Sequence, residues 1–223
     1  MFFTFIIRND YNIMQFSEFF KKYEGKDIIV LGCGSSVTDF VPKIPEGVVT
    51  IGVNDIGDIF TPEFLLVVNS PNTFKPVSRV STISNNKSKY FISHFPEKWI
   101  PLGIKNEIVN IKLGDRNFSN LGKSATDIID YSNNSPFMAC ICAYYLGAKR
   151  IGLIGVDFTD NHFNNRDGRH KLTGQLKEID KKFGMLNKKL SRLGCEIYNL
   201  SPESLLQSLP KMDQDEFIKT INK

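Results

Sequence analysis

Asp27-Ile28-Ile29-Val30-Leu31-Gly32-Cys33-Gly34-Ser35-Ser36-Val37 is the stretch whose reading decides the fold. Five residues that are almost all aliphatic and end at a glycine read as a strand buried on both faces of a parallel sheet. Gly32 and Gly34 then make a tight loop before a helix. A loop of that kind turns backbone N–H groups toward an anion, and the helix end adds partial positive charge. Gly32, Cys33, Gly34, Ser35 and Ser36 are therefore candidate nucleotide-binding residues.

Three familiar glycine loops do not fit. The dinucleotide fingerprint wants a third glycine where Val37 stands, and an acid at the end of the second strand, where Asn54 stands. The S-adenosylmethionine loop follows an acidic residue and carries one more glycine; those places hold Val30 and Ser36. The P-loop needs Gly-Lys-Ser/Thr at a spacing this chain lacks. Two glycines making only a tight turn is the plain alternative.

Outward from the loop, Val48–Val53 and Phe64–Val68 are further branched aliphatic runs of strand length. They deliver Asn54 and Asn69 to the carboxyl edge of the sheet, where ligands of open α/β folds bind. Toward the N-terminus, Met14, Phe16, Phe19, Phe20 and Tyr23 have helical spacing and Gly25 follows as a cap, which predicts a helix over 14–23. The opening Met1–Ile7 is apolar without a leading positive region or a cleavage site, and is expected to be a strand or packed arm. Residues 71–130 read as a variable insert with β-like pieces at Tyr90–Ser93 and Ile108–Ile111.

Ser135-Pro136 predicts a helix start, with serine as cap, running to Leu146 and closed by Gly147. Arg150–Val156 is the next buried strand and delivers Asp157. A polar loop over 159–173 precedes an amphipathic helix over Leu176–Leu193 and a strand over Cys195–Leu200. Ser201-Pro202-Glu203-Ser204 and Asp213 predict two short terminal helices within 202–223. Asp213-Gln214-Asp215 mimics a metal-binding Asp-x-Asp but reads as a cap. The sum is an α/β protein, with 1–223 as a single nucleotide-binding domain whose first 25 residues form an arm and helix.

Composition agrees. The 223 residues are 41% hydrophobic and 23% charged, neither disordered nor membranous. No run approaches the roughly 18 apolar residues of a spanning helix. The cysteines at 33, 140, 142 and 195 lack metal-ligand spacing, which points to reduced thiols in a cytoplasm and no metal site. A net charge of +4 with basic residues mixed among acids over Lys177–Arg192 reads as a solvated face, so no nucleic-acid partner is expected.

Ile29–Val37, Val53-Asn54, Val68-Asn69-Ser70-Pro71, Asn134–Met138, Leu146–Phe158 and Ile197–Leu206 form an order that resembles the family 42 sialyltransferases. It is similar also to the motility-accessory-factor proteins and the archaeal 6-hydroxymethylpterin pyrophosphokinases. The resemblance implies a Rossmann-like transferase of GT-A type with a mostly parallel sheet flanked by helices. It also implies a cytidine nucleotide-sugar donor, a glycan or other hydroxyl acceptor, and no metal or other cofactor.

Carried over by position, Gly32 to Ser36, Asn54 and Asn69 would line the donor pocket. Asn134 and Ser135 would lie near the phosphate, and Asp157 and Phe158 by the ribose or base. The family's catalytic histidine has its nearest counterpart in His170, with His162 as fallback and His94 read as structural. Arg169 or Lys171 would neutralise the departing phosphate. Cys33 replaces an asparagine of the family, Asn134-Ser135 a Ser-Gly pair, and Thr159 a tyrosine. Those departures leave open magnesium-dependent diphosphate transfer, with Asp55 and Asp157 as ligands, and a nucleotide-binding protein without catalysis. Related transferases often associate, so a homo-oligomer is open too.

Overall fold

The computed structural model describes residues 12–70, 78–96, 104, 106–132, 134–159, 161–163 and 172–222. Among them the strands are β1 (Ile13–Gln15), β2 (Asp27–Leu31), β3 (Val49–Val53), β4 (Phe64–Leu66), β5 (Tyr90–Ser93), β6 (Glu107–Asn110), β7 (Lys112–Leu113), β8 (Ile128–Ile129), β9 (Arg150–Ile154) and β10 (Glu196–Asn199). The helices are α1 (Val37–Phe40), α2 (Ser78–Ser84), α3 (Ser135–Tyr145), α4 (Leu176–Arg192) and α5 (Gln214–Lys219). Eight strands form one sheet in the order β1-β6-β5-β4-β3-β2-β9-β10, parallel at every pairing, and β7 and β8 form a small separate ribbon. This is the expected Rossmann-like α/β sheet.

Alternate residues of each strand feed two cores, as a period of two requires. Ile28 and Val30 pack on one face with Phe137 and Ile141 of α3 and with Phe183 and Leu186 of α4. Ile29 and Leu31 pack on the other with Val37 and Phe40 of α1, Ile83 of α2 and Phe217 of α5. The buried face of α4, Ile179, Phe183, Leu186 and Leu190, has the helical spacing read from its sequence. The two β-like pieces of the middle segment are β5 and β6, full members of the main sheet.

The strand order fixes the site. From β2 the chain winds to β3 by way of α1 on one face; from β9 it winds to β10 by way of α4 on the opposite face. Adjacent β2 and β9 therefore send their outgoing connections apart, which opens a crevice at their carboxyl ends.

Three local expectations are corrected. Residues 14–23 are not a helix: β1 pairs with β6, a 3-10 turn follows over Phe16–Phe19, and the chain then runs as turns. The amides of Lys21, Tyr23 and Gly25 donate to the carbonyls of Tyr145, Leu146 and Gly147. The segment thus satisfies the orphan carbonyls at the end of α3, and that tertiary ladder outweighs helical propensity. The cap of α3 is Asn134, whose side chain accepts from Phe137 N at 3.0 Å, while Ser135 is the first helical residue. Of the two terminal helices only α5 forms, capped by Asp213. Residues 202–211 are instead pinned to strand ends, with Leu205 N donating to Asp157 O and Ser204 Oγ to Val156 O.

Candidate functional site at the sheet switch point

Gly32 follows β2 and Gly155 follows β9, and the two backbones touch. A Cβ on Gly32 would lie 2.8 Å from the Gly155 carbonyl carbon, closer still to its oxygen, and 2.9 Å from Val156 Cγ2. Gly155 itself is left-handed at φ 72°, a conformation that favours glycine. Asn54 and Phe158 are left-handed as well, at φ 53° and 56°. Strained non-glycine backbone gathered at strand ends is a mark of functional edges.

Every amide from Gly34 to Thr38 is engaged inside the protein. Gly34 N donates to Gly155 O at 2.7 Å, Ser35 N to Asn161 O at 3.2 Å, Val37 N to Gly34 O at 3.3 Å and Thr38 N to Ser35 O at 3.1 Å. Ser36 N donates to Asp157 Oδ2 at 2.9 Å, and Ser36 Oγ to Asp157 Oδ1 at 2.5 Å. The expected row of amides open to an anion is thus corrected. The buried Asp157 carboxylate already sits at the start of α1, where an anion is favoured. The backbone of the loop is a fastening between β2 and β9, and residues 33–36 are part-exposed.

Cys33 is tied to the next strand end. Its Sγ lies 3.3 Å from Val53 O and 3.6 Å from Asp55 Oδ1. Asp55 is fully buried and clamped by Arg79 of α2, with Nε 2.9 Å from Oδ2 and Nη2 2.8 Å from Oδ1. Burial first, and the Asp55 charge second, push the Cys33 thiol well above its ordinary value, partly offset by Arg79. A thiol held protonated in this way is a poor nucleophile.

The chain beyond β9 returns to the loop. His162 forms an antiparallel bridge with Gly34, and Phe163 N donates to Cys33 O at 3.1 Å. One side-chain atom each of Cys33, Asp55 and His162 lie within 4.8 Å of one another. His162, the fallback histidine of the sequence reading, therefore stands in the crevice. His170 lies outside the described residues, as do Arg169 and Lys171.

Asn54 follows β3; its backbone N donates to Leu66 O, and its side-chain oxygen is buried with no hydrogen-bond partner among the described residues. Such an acceptor calls for a donor from a ligand or water. Asn69 is exposed beyond β4. Asn134 and Ser135 are buried at the N-terminus of α3, which runs antiparallel to the strands and so points that end at the carboxyl edge. Phe158 is buried in the core beneath this edge.

Sequence reasoning missed the Arg79 clamp and the 161–163 strap. Arg79 lies 24 residues from Asp55 with no motif joining them, so only the folded chain shows the pair.

Neither a family model nor a curated protein matches the chain. Solved structures do. An asparagine-to-alanine variant of the sialyltransferase CST-II in complex with CMP is 14% identical, with 84% of this chain and 86% of that chain covered, at a TM-score of 0.51. The likeness is one of fold. The α-2,3-sialyltransferase from Campylobacter jejuni in apo form is 16% identical over 85% of this chain and 81% of that chain, at 0.47. The sialyltransferase CstII from the same organism, in complex with CMP, is 16% identical over 85% of each chain at 0.45.

Proposed function

We propose that this chain is a glycosyltransferase that moves a sugar of sialic-acid type from a CMP-linked donor to a hydroxyl of a glycan or similar acceptor, without a divalent metal at the reacting centre. The carrying observation is the switch-point crevice, with the buried, unsatisfied side-chain acceptor of Asn54 at the end of β3, in a fold shared with a CMP-bound sialyltransferase. In this reading Gly32 to Ser36, Asn54 and Asn69 border the donor, Asn134 and Ser135 present the α3 N-terminus to its phosphate, and Asp157 and Phe158 shape the floor.

The acceptor oxygen attacks the anomeric carbon as the bond from that carbon to the phosphate oxygen breaks, leaving CMP. An imidazole takes the hydroxyl proton, a task suited to a group of ordinary pKa about 6.5. His170 is the base by resemblance, and His162, which stands beside the glycine loop, is the fallback.

Magnesium-dependent diphosphate transfer is the second reading, and the carboxylates speak against it. Asp157 is held by both donors of Ser36, and the groups beside Asp55 are a thiol sulfur and an imidazole nitrogen in place of further oxygens. Magnesium prefers carboxylate oxygens together with substrate phosphates in near-octahedral order.

Thermal shift with CMP, CDP, UDP and ATP, each with and without magnesium, tests the reading. Saturation by CMP at about 100 Kd adds roughly 2.7 kcal/mol, and at about 2–4 °C per kcal/mol for a chain of this size the melting temperature rises roughly 5–11 °C. The same rise is expected without magnesium. Transfer from a CMP-linked sugar then falls in His170→Ala or His162→Ala, whichever is the base. Silence to every cytidine nucleotide, or a response confined to ATP with magnesium, overturns the proposal.

A further inference from the structure

The ends of β2, β3 and β9 bring three metal-ligating side chains to one place that the transfer chemistry does not use as a set. Cys33 offers a sulfur, Asp55 a carboxylate oxygen and His162 an imidazole nitrogen, all within 4.8 Å of one another. Tetrahedral zinc has bonds of about 2.0–2.3 Å, which sets its ligand atoms roughly 3.3–3.7 Å apart. The Cys33–Asp55 edge is already 3.6 Å. The other two edges are no longer than 4.8 Å.

We propose that Cys33, Asp55 and His162 form a site for one thiophilic divalent cation of the zinc class, which fastens the 161–163 strap to the glycine loop. Each ligand is positioned by something other than the cation. Arg79 holds the Asp55 carboxylate with two hydrogen bonds, the outer-shell support that orients metal ligands. His162 is placed by backbone: the bridge to Gly34, the bond from Phe163 N to Cys33 O and the bond from Ser35 N to Asn161 O. Cys33 is placed by the glycine loop itself.

The donor set selects the ion. One sulfur, one nitrogen and one oxygen suit zinc or cobalt, whereas magnesium and calcium want oxygens. Because Arg79 already balances the Asp55 charge, the negative partner for the cation is the Cys33 thiolate. Binding therefore breaks the Cys33 S–H bond, releases that proton to solvent and forms the metal–sulfur bond, with no change of oxidation state. The fourth position is left to water at the open side of the crevice. With His162 as a ligand, the base of the proposed transfer is His170, and no step of the transfer passes through the cation.

The test is a titration of the metal-free full chain with cobalt(II), whose spectrum reports both thiolate ligation and tetrahedral geometry. One equivalent is expected to give a thiolate-to-cobalt charge-transfer band and intense visible bands, bleached by one equivalent of zinc and unaffected by excess magnesium. Cys33→Ser abolishes the charge-transfer band, and His162→Ala weakens cobalt binding at least tenfold while circular dichroism shows both variants folded. Should Cys33→Ser fail to fold, His162→Ala carries the test, because it leaves the glycine loop intact. A weak octahedral spectrum without the charge-transfer band, a band that survives Cys33→Ser and so belongs to Cys140, Cys142 or Cys195, or unchanged affinity in His162→Ala would each overturn the site.

Discussion

Gly32→Ala tests the contact on which the crevice is built. The new Cβ would sit 2.8 Å from the Gly155 carbonyl carbon and 2.9 Å from Val156 Cγ2, against an ordinary carbon–carbon contact of about 3.5–4.0 Å. Relief means moving the Gly155 peptide, whose carbonyl accepts from Gly34 N at 2.7 Å. Loss of that bond costs about 1 kcal/mol, and overpacking against rigid backbone costs about 1–3 kcal/mol more. The sum is roughly 2–4 kcal/mol, or about 4–16 °C in melting temperature. Urea unfolding measures it as a lower midpoint at constant slope. Gly174→Ala is the control: nothing lies within 4 Å of the added Cβ, so a change below about 0.5 kcal/mol is expected. The reasoning is refuted if Gly32→Ala stays within about 0.5 kcal/mol of the parent, or if both alanine variants lose stability alike.

Asp157→Asn removes the charge that accepts from Ser36 N and Oγ. A stability loss of about 1.5–3 kcal/mol is expected, read by the same urea titration, and Ser36→Ala in the same background should add little. Burial pushes the His94 imidazole below its ordinary value of 6.5. The unfolded chain therefore binds a proton more readily, and the His94 contribution is present above that value and lost as pH falls below it. Melting temperatures at about pH 7.5 and 5.5 should differ less in His94→Gln than in the parent; an equal difference would exclude His94 from the pH response.

Much of the fold was legible because hydrophobic runs carry it. Ile28 to Leu31, Val49 to Val53, Phe64 to Leu66 and Arg150 to Ile154 read as two-faced strands and are the sheet's centre. The spacing of Ile179, Phe183, Leu186 and Leu190 placed α4 correctly. Residues 14–23 misled because their apolar spacing suits a helix, while Phe16 and Phe19 are buried with Phe64 and Tyr90 by a 3-10 turn. The tail over 202–211 misled because Ser204 looked like part of a helix start and instead donates to Val156 O.

At the site, the glycine loop was found and its use was not. Sequence alone determined that a glycine turn follows a buried strand, that Asn54 comes directly after a second strand, and that Asp157 and His162 come after a third; those facts live in patterns a few residues long. Only the tertiary structure decided that Asp157 fills the anion position, that Arg79 clamps Asp55, and that His162 is drawn over Cys33. The reason is physical. Hydrophobic period is a local property of the chain, whereas the partner that satisfies a buried donor or carboxylate is whichever group chain closure brings within about 3 Å.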